Sequence, residues 1–141
     1  MAEYTIRAAT WEDIDSILEL WHSLDRHTAL PDTREIVQTY LDFARDLMLV
    51  AEADGRIVGT IIAGWDGWRG HMARLATDPD LRRSGIAKAL VSEAEARLKA
   101  KGARRIYALI DALSPQAAPF WSAVGYAPNE NVVQYSRNVG D

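Results

Sequence analysis

The stretch "DPDLRRSGIAKALV", residues 78–91, decides how this chain is read. An acidic, proline-containing loop runs into Arg82 and Arg83, then Ser84 and Gly85, and an apolar helical pattern begins at once. The pattern places Ile86, Leu90, Val91, Ala94 and Leu98 on one face of a helix that Gly102 ends. A helix N-terminus carries free backbone N–H groups and the positive end of the macrodipole. Gly85 has no side chain and Ala87 only a methyl, so an anion can approach the backbone from residue 82 to residue 87. Arg82, Arg83 and Lys88 add positive charge there. The residues therefore suit a diphosphate cradle; the plainer reading is a glycine turn with solvated arginines.

Working outward, "RGHMARLAT" before this loop and "RRIYALID" after its helix both read as strands. A helix between them makes them parallel neighbours. Upstream, "LMLVAEA" and "RIVGTIIAGW" are strands joined by Asp54-Gly55, a dipeptide suited to a two-residue type I′ turn. Asp66-Gly67, between Trp65 and Trp68, turns the chain again, so three strands form an antiparallel meander. "YTIRAAT" is an opening strand. Thr10 and Asp13 cap a first helix with Ile14, Ile17, Leu18 and Trp21 on one face. "TREIVQTYLDF" is a second helix, with Ile36, Val37, Tyr40 and Leu41 together. Downstream, Ser114 and Pro115 open a last helix that Gly125 ends, and "VVQYSRNV" is a final strand. The order β-α-α-β-β-β-α-β-α-β implies an α/β fold with a mixed, mostly antiparallel twisted sheet, in one domain spanning residues 1–141.

Bulk composition narrows the function. A net charge of −4 argues against nucleic acid or an anionic membrane as partner, so an anionic ligand needs local positive charge. A nucleic-acid surface built from Arg82, Arg83, Arg104 and Arg105 lacks the basic, aromatic-interleaved character it would need. The chain has no cysteine, which removes thiol nucleophiles and disulfides and fits a cytoplasmic location. No signal peptide and no membrane-spanning run are visible. Neither G-x-G-x-x-G nor a P-loop is present. The histidines lack the H-E-x-x-H spacing, so no metal is expected.

"LATDPDLRRSGIAKALV" resembles the acyl-CoA-binding motif of the GCN5-related N-acetyltransferases. "LVAEADGRIVGTIIAGWDGWRGH" is similar to the bacterial YpeA-like branch, and "FWSAVGY" resembles the family's fourth-helix ending. The resemblance implies that the fourth and fifth strands splay apart around pantetheine, with the backbone of Leu75, Ala76 and Thr77 pairing with its amides. It implies that Arg82, Arg83, Ser84, Gly85, Ile86 and Ala87 present amides to the pyrophosphate, with Lys88 in reach. A backbone N–H near Leu75 would polarise the thioester carbonyl, and Ser114 stands where relatives often contact the cofactor. The implied reaction moves an acetyl group from acetyl-CoA to an amine by direct attack in a ternary complex. The implied partners are acetyl-CoA and an amine acceptor, with a last-strand edge that can pair two copies as a homodimer.

The chain departs from the family at two points. Trp121 occupies the position where many relatives place a tyrosine acid, and Leu109 the position where some place a glutamate. An indole N–H is no useful acid at neutral pH. Other groups in range of the chemistry are His71 on the fourth strand, and His22 and His27 flanking Asp25 after the first helix. Tyr107, Tyr135 and Asp111 complete the set. Trp65, Trp68 and Trp121 can line an apolar acceptor pocket, with Arg69 or Arg74 holding a carboxylate. Each of these also has a structural reading, as core, hairpin or solvated loop. A catalytically weak CoA-binding module of the same fold is the alternative function.

Overall fold

The computed structural model describes residues 3–24 and 30–140. They fall into two compact units, residues 3–24 with 32–109 and residues 30–31 with 110–140. Asp25 and His27 lie outside the described residues.

The first unit holds the sheet. β1 (Thr5–Ala8) is followed by α1 (Ile14–Ser23) and α2 (Arg34–Ala44), then by β2 (Met48–Ala53), β3 (Arg56–Trp65) and β4 (Gly70–Thr77). α3 (Ile86–Lys101) leads to β5 (Ile106–Ala108). The strands lie in the order β1-β2-β3-β4-β5. The first three pairings are antiparallel and β4–β5 is parallel. The fold class matches the expectation of a mixed, mostly antiparallel α/β sheet.

Local chemistry explains the elements. Thr10 N donates to Asp13 Oδ2 at 2.8 Å, half of a capping box at the entry to α1. Asp13 also receives Arg7 Nη1 at 2.7 Å, and this guanidinium hydrogen bond holds the Asp13 carboxyl below its ordinary value of 3.8. Thr33 caps α2 by accepting from Ile36 N at 3.2 Å. Asp54 and Gly55 are both left-handed, as a two-residue hairpin turn of type I′ requires. In the second turn, Asp66 Oδ1 accepts from the N–H groups of Trp68 and Arg69, each at 2.7 Å. Those two bonds hold the Asp66 carboxyl below the usual carboxylate range.

Side chains alternate across a strand, so neighbouring β3 residues face opposite layers. Gly59 faces α3: a Cβ there would lie 2.9 Å from Ile86 Cγ2 and 3.0 Å from Leu90 Cδ1. Thr60 faces α1, where Trp21 Nε1 donates to its hydroxyl at 2.8 Å. Ile14, Ile17, Trp21, Val37 and Leu41 pack on Met48, Val50 and Ala76 to form the core of the α1/α2 layer. The five α3 residues expected on one face are all buried. Ile36 is the exception in α2; it is exposed, and Val37 and Leu41 carry that helix's burial.

In the second unit, α4 spans Ala117–Ala123. Ser114 and Pro115 do not open it. Ser114 N donates to Asp111 O at 3.1 Å and Ala117 N to Ser114 O at 3.3 Å, so the residues before the helix form turns. Gly125 is left-handed after the helix, as expected. The final strand expected over 132–139 is not formed among the described residues. Its pattern explains this. Val133, Tyr135 and Val139 would share one face of a strand, but Arg137 interrupts it and all three side chains are exposed, with no core for that face to cover. A strand also needs a ladder partner, which propensity alone cannot supply. Val132 N instead donates to Asn129 O at 3.3 Å, and Tyr135 is 92% exposed.

Candidate active site

The site is built at the C-terminal end of β4 and the N-terminal end of α3. Asp78 ends the strand. Its Oδ1 accepts from Asp80 N at 3.0 Å and its Oδ2 from Arg56 at 2.9 Å. The Asp80 N–H, ahead of Arg56, keeps the Asp78 carboxyl below the usual range. A short 3₁₀ turn, Pro79–Leu81, follows, and Ser84 Oγ donates to Leu81 O at 2.5 Å. Arg83 then turns left-handed at φ 65° and Gly85 at φ 88°. Such turns aim successive N–H groups to one side, which makes an anion-binding concavity. The first helical bond, Ala89 N to Gly85 O, is 2.9 Å. Among the described residues, the N–H groups of residues 83–88 have no backbone or side-chain acceptor. Arg82, Arg83 and Lys88 are exposed beside them and form no ion pair among the described residues. A Cβ on Gly85 would meet only the Tyr4 hydroxyl, at 3.5 Å, so the cradle is open where a phosphate would enter.

β4 changes character along its length. Its first three residues, Gly70, His71 and Met72, pair with Ile106, Tyr107 and Ala108, and Leu109 N reaches Met72 O at 2.9 Å. The β4–β5 ladder ends there, while β4 continues along β3 to Thr77↔Gly59. The register with β3 slips between Ile62↔Ala73 and Thr60↔Ala76, so β4 carries one extra residue. Arg74 takes up the slip at φ 56°. β5 is shorter than the expected 104–111 because its ladder ends where this bulge bends β4 away.

The remaining candidates are placed as follows. His71 is exposed, with its imidazole lying against Gly64, its partner on β3. His22 is exposed, its Nε2 3.3 Å from Asp32 O. Tyr107 faces Arg105, whose guanidinium carbon lies 5.7 Å from the ring. Arg74 is not free to hold a carboxylate ligand; Asp32 Oδ1 accepts from its Nη2 at 2.8 Å. Arg69 stacks over Trp68 at 3.9 Å, its Nε buried without a partner among the described residues. In the second unit, Asp111 accepts from Leu113 N at 2.9 Å, a local turn rather than a strand end. Trp121 is buried, edge-on to Phe120 at 5.4 Å and Tyr126 at 5.1 Å. The sequence reading missed Thr60 and the role of Arg74. The signal for Thr60 was there: a lone hydroxyl inside the apolar run "VGTIIAG".

No helix among the described residues is long and apolar enough to cross a membrane. The model of the acetyltransferase (GNAT) family matches residues 11–126. An acetyltransferase of Pectobacterium atrosepticum, ECA0875, is 36% identical over 105 residues, covering 74% of each chain. Another, SG1711 of Sodalis glossinidius, is 31% identical over 91% of this chain and 90% of its own. Among solved structures, Ard1 from Thermoplasma volcanium superposes with a TM-score of 0.78 at 19% identity, covering 88% of this chain and 82% of that one. A Clostridium acetobutylicum protein described as a predicted acetyltransferase, solved with acetyl-CoA, gives a TM-score of 0.75 at 16% identity over 95% and 96%. These two share the fold. The bare helix entrance, the bulged fourth strand and the family match over most of the chain lead to one assignment: this chain belongs to the GNAT family of acetyltransferases.

Proposed function

We propose that the chain is an acetyl-CoA-dependent N-acetyltransferase of the YpeA-like branch that passes the acetyl group to a primary amine of a small molecule or peptide. One observation carries the reading: the row of N–H groups over 83–88 without an acceptor among the described residues, flanked by the unpaired cations Arg82, Arg83 and Lys88. In this reading Arg82–Ala87 receive the diphosphate, and Leu75, Ala76 and Thr77 receive the pantetheine amides. Ser114, from the second unit, is a further cofactor-binding candidate.

The amine nitrogen attacks the thioester carbonyl carbon, the carbon–sulfur bond breaks, and the thiolate leaves. A backbone N–H near Leu75 polarises the carbonyl as negative charge grows on its oxygen. The attacking amine must first be neutral. With a pKa near ~10.4, about one molecule in 2,500 is neutral at pH 7, a cost of ~4.6 kcal/mol. His71 is the candidate base. Trp121 fills the usual acid position with an indole N–H too weakly acidic to give up its proton, so in this reading water protonates the thiolate.

The test is isothermal calorimetry with CoA, followed by thiol release from acetyl-CoA across a panel of polyamines, amino acids, aminoglycosides and peptides. Binding with amine-dependent thiol release supports the enzyme. Binding without release by any amine, at high concentration and pH 9, supports the second reading, a CoA-binding module. Trp121 favours that second reading. Absence of CoA binding overturns both.

A further inference from the structure

We infer that Thr60 and Trp21 are positioning residues for the pantetheine slot, because a buried hydrogen-bond chain from α1 locks the β4 bulge open. The inference rests on the CoA reading above. Trp21 Nε1–H donates to Thr60 Oγ1 at 2.8 Å, and the Thr60 hydroxyl donates to the Arg74 carbonyl at 3.0 Å. Thr60 is fully buried and Trp21 nearly so. Arg74 is the left-handed, non-glycine residue at the register slip of β4.

Left-handed backbone is unfavourable for an L-residue with a side chain, so something must hold Arg74 there. The structure holds it at both ends. Its carbonyl is bound by Thr60, and its guanidinium is bound by Asp32 at 2.8 Å and lies 5.6 Å from the Trp21 ring. Trp21 therefore touches the bulge twice, through Thr60 and through the arginine side chain. A single hydroxyl serves as both acceptor and donor, which a valine of the same shape cannot do. Without it, β4 gains from relaxing toward regular pairing with β3, and the point where it parts from β5 shifts. The chain thus shapes the pantetheine path and leaves the nucleotide cradle at residues 82–88 alone.

Binding of two ligands separates these roles. 3′-Phosphoadenosine 5′-diphosphate carries the nucleotide half of CoA and no pantetheine. Thr60→Val is expected to weaken acetyl-CoA binding about tenfold or more while leaving this fragment within about twofold of the native protein. Thr60→Ser, which keeps the hydroxyl, is expected to restore acetyl-CoA binding to within about threefold. Trp21→Phe is expected to show the same split as Thr60→Val. Equal losses for both ligands, or no loss for either, would overturn the inference, because a general loss of structure cannot select one half of the ligand. Failure of Thr60→Ser to recover acetyl-CoA binding would also overturn it. If the native protein binds neither ligand, the CoA reading falls and takes this inference with it.

Discussion

Gly85 and Gly102 stand at opposite ends of α3, both left-handed, at φ 88° and 115°. At the C-terminal end, Gly102 N donates to Lys99 O and Ala103 N to Leu98 O, each at 3.0 Å, so the chain answers its own last carbonyls. At the N-terminal end, no such return occurs. The N–H groups of residues 83–88 keep no acceptor among the described residues, and three unpaired cations stand around them. The same residue type, in the same region of backbone space, closes one end and opens the other. What differs is the chain beside it. After Gly102 the backbone folds back onto the helix, whereas the left-handed turn at Arg83 swings it aside before Gly85. A bare helix N-terminus suits an anion, which is what the proposed CoA reading places there.

The hardest test of that contrast is Gly85→Glu. It puts a carboxylate where the proposed CoA reading places the diphosphate, and calorimetry is expected to show no CoA binding while far-UV dichroism stays native. Binding within about tenfold of the native protein would break the comparison. Gly59→Val comes next. Its side chain would push on Ile86 and Leu90, the first two buried residues of α3 counted from the open end. Overpacking of this kind costs about 1–3 kcal/mol in denaturant unfolding and is expected to weaken CoA binding as well.

Gly102→Ala sharpens the contrast from the closed end. It forces an alanine into left-handed backbone at about 1 kcal/mol, lowering Tm by a few degrees, with CoA affinity unchanged. A fall in affinity there would mean that the two ends are not independent. The smallest effect is electrostatic and remote from both ends. The Arg7 guanidinium holds the Asp13 carboxyl below 3.8. Its stabilisation is therefore present above pH 3.8 and lost as the pH falls through the lower folded-state value. Asp13→Asn is expected to be less stable than the native protein at pH 7. The gap should narrow steadily below pH 3.8, read by urea midpoints across pH.

The readable parts of this molecule were those in which local chemistry and tertiary structure agree. Ile86, Leu90, Val91, Ala94 and Leu98 repeat at helical spacing and all are buried. Asp54-Gly55 falls where the meander first turns, because few other dipeptides take two left-handed angles comfortably. At the second turn Gly67 alone is left-handed, and the Asp66 side chain closes the loop on Trp68 N and Arg69 N. The open helix entrance at Gly85 was visible for the same reason: glycine before a helix has a local signature. The bulge at Arg74 was not visible, since nothing in "HMARLAT" marks an arginine as left-handed. Its cause lies in Thr60, Trp21 and Asp32, three residues distant in sequence. The last strand was misread for the converse reason. "VVQYSRNV" has strand propensity, but a strand exists only against a partner. α4 begins at Ala117 rather than Pro115 because Ser114 spends its backbone on turns with Asp111 and Ala117.

The short ladder between β4 and β5 bears on the order in which the sheet assembles. β2, β3 and β4 are joined by tight turns, so their pairs meet early, at low loop-closure cost. β5 must wait for α3 to form and dock, and then gains only three residue pairs. The edge beside the proposed slot is thus held by the shortest ladder of the sheet, three pairs against four for β1–β2, and opens readily. Its ladder amide at Leu109, bonded to Met72 O, is one that deuterium should reach early.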